Sequence, residues 1–240
     1  MPTTMSIVYA VLALGSIALN IIAPFSGVGI IKALPALLLT GAAWRYTRPR
    51  FGNAVTLGIL CGAAGDYFLA SLSQDWLMPG LIAFLIGHGF YLRAFARDLH
   101  MTAVRLGIVG VVTACTAVLA IFTVRALLAT GQANLIAPFL LYAAVLLIMM
   151  AVCLFHRSPA HWIAAGAVVF VVSDGHIVVN HLLLAAPLLP LTLTGYTTYY
   201  LAQYLIVAGA ARETAVTNAH ATAPRRTEDE EGAKERVNHE

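Results

Sequence analysis

A carboxylate in the middle of an apolar run restricts this chain more than any other feature. Asp66 follows Gly65 inside Thr56-Leu-Gly-Ile-Leu-Cys-Gly-Ala-Ala-Gly-Asp-Tyr-Phe-Leu-Ala70, and Asp174 follows Ser173 inside the equally apolar stretch 168–184. Hydrocarbon cannot solvate a carboxylate, and placing one at the centre of a membrane helix costs about 2.5–3.5 kcal/mol. Ahead of Glu213 the acidic residues are Asp66, Asp75, Asp98 and Asp174. Two of these four stand where a membrane helix should carry none, so any fold for the chain must account for them.

The surrounding sequence leaves few alternatives to a membrane fold. Hydrophobic residues make up 60% of the chain and charged residues 10%, against about 25% charged in a soluble domain. Mean hydropathy is +0.83, and the apolar runs approach the roughly 20 residues needed to span a bilayer. The ten-residue alternation of a transmembrane barrel is missing. The sequence therefore predicts an all-α polytopic membrane protein, with eight transmembrane helices in one bundle at 5–24, 28–44, 54–72, 77–95, 104–124, 135–155, 161–184 and 190–211. The stretch from Met1 to Ala23 lacks a basic start and reads as a retained first helix.

Charge placement orients the bundle. Arg45, Arg48 and Arg50 follow the second span, Arg93, Arg97 and Arg105 surround the end of the fourth, Arg157 follows the sixth and Arg212 the eighth. The opposite loops contribute only Arg125. By the positive-inside rule both termini face the cytoplasm, and the expected location is a bacterial cell membrane. Basic residues spread through short loops do not form a nucleic-acid-binding patch, so no nucleic acid is expected as a partner. Cys61, Cys115 and Cys153 lie within apolar runs and read as small core residues, not as disulfides or metal ligands. At Glu213 the composition changes: seven of the eleven acidic residues lie from there to Glu240, together with Arg225, Arg226, Lys234 and Arg236. The sequence thus divides into a membrane domain, 1–212, and a disordered charged cytoplasmic tail, 213–240.

Placed by depth on this topology, seven polar side chains from six spans fall between the midplane and the outer third: Lys32, Asp66, His88, Tyr91, Tyr142, Asp174 and Gln203. Helical spacing puts Tyr196, Tyr199, Tyr200 and Gln203 on one face of the last span, and Asp174 and His181 on one stripe of the seventh, with His176 elsewhere. Gly58, Gly62 and Gly65 form a small-residue surface beside Asp66 that suits close helix approach. His100, His156 and His161 fall in loops and carry no signal of function.

Five segments, in order and on separate spans, resemble the YhhN family of membrane proteins, which includes the lysoplasmalogenases. They are Ile31-Lys-Ala-Leu-Pro-Ala-Leu-Leu-Leu39, Gly65-Asp-Tyr-Phe-Leu69, Gly87-His-Gly-Phe-Tyr91, Gly166-Ala-Val-Val-Phe-Val-Val-Ser-Asp174 and Tyr199-Tyr-Leu-Ala-Gln-Tyr-Leu-Ile206. The resemblance spans residues 5–211. It implies eight helices, an active site around the paired aspartates, and hydrolysis of the vinyl ether bond of a lysoplasmalogen to a fatty aldehyde and a glycerophospho-ethanolamine or -choline.

That chemistry needs an acid to protonate the β-carbon and an anion to steady the resulting oxocarbenium ion before water captures it. Two carboxyls sharing a desolvated site supply both when one is protonated and the other ionised. Asp66 and Asp174 are thus the expected catalytic pair. The expected substrate contacts are Lys32 for phosphate, Tyr91, Tyr199 and Gln203 for water or the glycerol hydroxyl, and His88 as a proton relay or an orienting group. Tyr142 and Ser173 complete that set. The expected partners are a single-chain phospholipid and the bilayer; no cofactor or metal is expected, and the oligomeric state is left open. A proton- or ion-coupled transporter using the same polar layer is the alternative; a metal-dependent hydrolase built on Asp66, His88, Asp174 and His181 lacks ligand spacing.

Overall fold

The computed structural model describes residues 1–22, 27–70, 76–158 and 161–222. Among the described residues eight longer helices fall on the eight apolar runs. They are α1 (Thr3–Ile22), α2 (Val28–Tyr46), α4 (Ala54–Leu69), α5 (Leu77–Phe95), α6 (Ala103–Ala129), α7 (Ile136–Phe155), α8 (Trp162–Val178) and α9 (Leu189–Thr222), with α6 and α9 continuing past the predicted ends. A single-turn helix, α3 (Arg48–Phe51), begins at the Arg48-Pro49 step, where proline suits the first turn of a helix. A π turn, Val179–Leu183, extends α8. Six of the helical stretches are long and apolar enough to cross a membrane: α1, α2, α5, α6, residues 133–155 and residues 162–183. Helix α4 is apolar but shorter, at 16 residues.

Helix pairing closes the bundle. The most extensive contacts are α8 with α9, α4 with α5, and α2 with α4; α5 on α7, α7 on α8 and α9 on α2 complete a ring of six helices. The core inside it contains Ala36, Leu39, Ile59, Phe95, Met149, Met150, Ile163, Ile206 and Val207. Helix α1 lies against α2 and α9 outside the ring, and α6 touches mainly α7 and the π turn. Only Thr123 and Leu127 of α6 are buried. Its apolar outer face, including Val104, Val111, Val118 and Phe122, is exposed.

Small residues allow the close α4–α5 approach, as their spacing predicts. A Cβ on Gly87 of α5 would sit 2.9 Å from the Gly58 carbonyl of α4, and one on Gly65 would lie 2.5 Å from the Phe84 ring. Cys115 departs from its predicted core position: it is exposed on the outer face of α6, whereas Cys153 is buried. The π turn also changes the predicted stripe on the seventh span. It shifts the register after Val178, and His181 is exposed.

At the other end of α9 the sequence boundary at Glu213 does not end the helix. Helix α9 continues to Thr222, and Glu213 is 1% exposed. Arg50 Nε donates to its carboxylate at 2.7 Å, and His156 Nε2 lies 3.0 Å from it. Residues 223–240 of the predicted tail lie outside the described residues. His156, which carries no signal as a loop histidine, is buried here, with its Nδ1 2.9 Å from the Arg97 carbonyl. An isolated antiparallel bridge joins Leu99 to His156. These contacts draw the connections after α2, α5 and α7 to one end of the bundle with α9.

Candidate active site

Each aspartate occupies its own tyrosine-held place in the ring. On α4, Asp66 is 1% exposed, and its Oδ2 accepts a 2.8 Å hydrogen bond from the Tyr199 hydroxyl of α9. Gln203, one turn along α9, donates through Nε2 to the same hydroxyl oxygen. Tyr199 thus donates a hydrogen bond to the carboxylate and accepts one from the amide, while Gln203 Oε1 has no partner among the described residues. Gly62 makes room for this group, because a Cβ there would lie 3.1 Å from Gln203 Nε2.

Lys32 on α2 is buried and acts on Asp66 electrostatically. Its ammonium stands 5.1 Å from the centre of the Tyr196 ring, within cation–π range. A hydroxyl network fixes this flank. Tyr200 donates to the Lys32 carbonyl at 3.1 Å, so Ser16, at 2.7 Å, donates to the Tyr200 oxygen. Tyr9 in turn donates to the Tyr200 carbonyl at 2.7 Å.

Asp174 on α8 is half-buried, and its Oδ2 accepts from the Tyr142 hydroxyl of α7 at 2.6 Å. The two aspartates do not hydrogen-bond to each other. The contacts between them run through four rings. Tyr199 meets Phe170 edge-on at 5.6 Å, Phe170 meets His88 at 5.1 Å, and His88 meets Tyr142 at 5.5 Å. The direct meeting of two dry carboxyls expected from sequence is replaced by two tyrosine-held carboxyls at either end of an aromatic row. The physical reason is that a carboxylate in an apolar interior needs a donor, and each phenol supplies one where another carboxylate would repel.

The other predicted residues divide. His88 lies in the row, 1% exposed, and neither of its ring nitrogens has a hydrogen-bond partner among the described residues. Tyr91 is buried against Gly58 and stacks on Phe95 at 6.3 Å, with no hydrogen bond to either aspartate. Ser173 donates to the Gly195 carbonyl at 3.1 Å, which ties α8 to α9. Phe170 and Phe84, which complete the walls, escape a reading from sequence because an aromatic residue in an apolar helix has no distinguishing pattern. Among the described residues no three His, Cys, Asp or Glu side chains gather as a metal cluster.

A closed ring of apolar helices enclosing two carboxyls, a lysine and an aromatic row defines an integral membrane protein with a polar interior site. The YhhN family model matches residues 29–210, and the chain belongs to that family. It is 31% identical over 179 residues to a lysoplasmalogenase of Mycobacterium bovis, covering 74% of this chain and 68% of that protein. A lysoplasmalogenase of Mycobacterium tuberculosis matches to the same extent. Lysoplasmalogenase TMEM86B of Homo sapiens is 28% identical over 185 residues, or 76% of this chain and 75% of the human protein. No solved structure matches.

Proposed function

We propose that this protein is a membrane-embedded hydrolase that cleaves the vinyl ether bond of a lysoplasmalogen, or of a related single-chain ether lysophospholipid. The products are a fatty aldehyde and a glycerophospho-ethanolamine or -choline. The observation that carries this reading is the pair of tyrosine-held carboxyls inside a ring of apolar helices, in a chain whose relatives are named lysoplasmalogenases. Those names favour hydrolysis over the transport alternative.

The neighbours of the two aspartates divide the work between them. Asp66 stands near Lys32 and serves as the anion that steadies the oxocarbenium ion. Asp174 has a phenol for its partner and serves as the acid that protonates the β-carbon. Lys32, backed by the Tyr196 ring, takes the phosphate, and the acyl chain lies between helices. All eight longer helices cross the bilayer. Helix α4 spans about 24 Å at 1.5 Å per residue, somewhat less than the roughly 30 Å hydrocarbon core. The end bearing Arg50, Arg97, Arg157 and Glu213 faces the cytoplasm, as does each terminus.

The test is a lipid panel incubated with the purified chain in detergent and read by mass spectrometry. A long-chain aldehyde from vinyl ether lysolipids, and none from acyl lysolipids, is the expected result. Detergent removes any sealed compartment, so turnover there also separates hydrolysis from transport. Absence of aldehyde from every vinyl ether lysolipid overturns the reading.

A further inference from the structure

Among the described residues His88 is a buried polar group whose two ring nitrogens both stand without a hydrogen-bond partner. Its ring is 1% exposed. Leaving a buried polar group unsatisfied destabilises the fold. A phenyl ring would fill the same space between Tyr142 and Phe170 without that cost. The position is also specific: His88 touches the phenol that holds Asp174 and the Phe170 ring that touches the phenol holding Asp66.

We propose that His88 is a catalytic residue, the base that deprotonates the attacking water and then the acid that releases the glycerol oxygen. This rests on the vinyl ether reading above. The first half-reaction uses only the aspartates: Asp174 gives its proton to the β-carbon, and the double bond becomes an oxocarbenium ion. Water then forms a C–O bond to the α-carbon and passes one proton to a His88 nitrogen. The resulting hemiacetal collapses as the imidazolium returns that proton to the glycerol oxygen. The bond from the α-carbon to that oxygen breaks, and the hemiacetal hydroxyl proton goes back to Asp174.

One water is consumed, an aldehyde and an alcohol are released, and both protein groups regain their starting protonation. An imidazole suits the second half-reaction because one ring nitrogen can take a proton from water and give it up again while the ring stays in place.

The experiment uses the full chain in detergent with a lysoplasmalogen. His88→Gly is expected to lose about 10²-fold in aldehyde release. Added imidazole should restore the rate in proportion to its concentration, while pyrazole, a ring of the same shape and far weaker basicity, should restore nothing. Equal rescue by the two rings means the side chain only fills space, and overturns the proposal. His88→Gln keeps a polar group of similar volume and guards against a glycine variant that does not fold. It should show the same loss with an unchanged unfolding temperature, and a His88→Gln enzyme at wild-type rate overturns the assignment. A wild type that releases no aldehyde instead removes the reaction itself, and this inference with it. That result is distinct from an active wild type beside an active His88→Gln.

Discussion

Asp66 and Asp174 share a residue type but not a setting. Asp66 is 1% exposed and lies near a lysine; Asp174 is half-buried against a single phenol. An amide in either place keeps the shape and one hydrogen-bonding oxygen but can neither donate an acid proton nor carry charge. Asp66→Asn and Asp174→Asn are each expected to lower aldehyde release by at least about 10²-fold. Elution in gel filtration should stay unchanged in both. An active Asn variant at either position ends the two-carboxyl mechanism.

Lys32 serves two readings at once, as electrostatic neighbour of Asp66 and as phosphate ligand, and kinetics separate them. If its main task is phosphate, Lys32→Ala raises KM with little change in kcat. A fall in kcat at constant KM assigns it to Asp66 instead. The residue types that stand out here were readable in the sequence because charge in an apolar run is costly and rare. Their partners were not, because a tyrosine in such a run looks the same whether it packs or donates.

At the scale of elements, α9 contributes most to the arrangement. Its middle carries Tyr199 and Gln203 to Asp66, and its far turns carry Glu213 to Arg50 and His156. His156 Nδ1 faces the Arg97 carbonyl and Nε2 faces the Glu213 carboxylate, and both are acceptors, so the doubly protonated ring satisfies both contacts. Burial lowers the His156 pKa, but the hydrogen bond and charge of Glu213 outweigh it and hold the value above the ordinary one. Burial likewise raises the Glu213 pKa, and the bonds from His156 and Arg50 bring it below the usual carboxylate value.

The two signs define a window. His156 contributes fully below about pH 6.5, and its stabilisation fades as pH rises through the raised folded value. Glu213 contributes fully above about pH 4.3 and fades as pH falls through its depressed value. Unfolding temperature should therefore decline above neutrality in the wild type and follow a flatter profile in Glu213→Gln. That variant should also lose about 3 kcal/mol, because buried His156 is left without its counter-charge and Arg50 keeps, among the described residues, only the exposed Asp98, 3.6 Å away. Identical pH profiles for the two proteins would remove the clamp as a source of stability.

Taken whole, the molecule is a ring of six helices around the site, with α1 and α6 on its outside. The basic connections and the C-terminal turns of α9 meet at one end. If that end is cytoplasmic, reporters fused at either terminus of the full chain should both signal from the cytoplasm, and a label at Arg125 should be reached from the other side. Reporters on opposite sides would break the even count of crossings. The sequence by itself determined the all-helical membrane class, the approximate place of the longer helices and the identity of the costly residues, because hydrophobic length and charge cost are local properties. It also determined the small face of α4, since glycine spacing on a helix is fixed by its pitch. Only the tertiary structure decided that each aspartate meets a tyrosine instead of the other aspartate, that His88 stands between them, and that Glu213 is buried in a helix. Those outcomes depend on which faces of distant helices meet, and a side chain's partner across a helix interface is not written in its own neighbourhood of the chain.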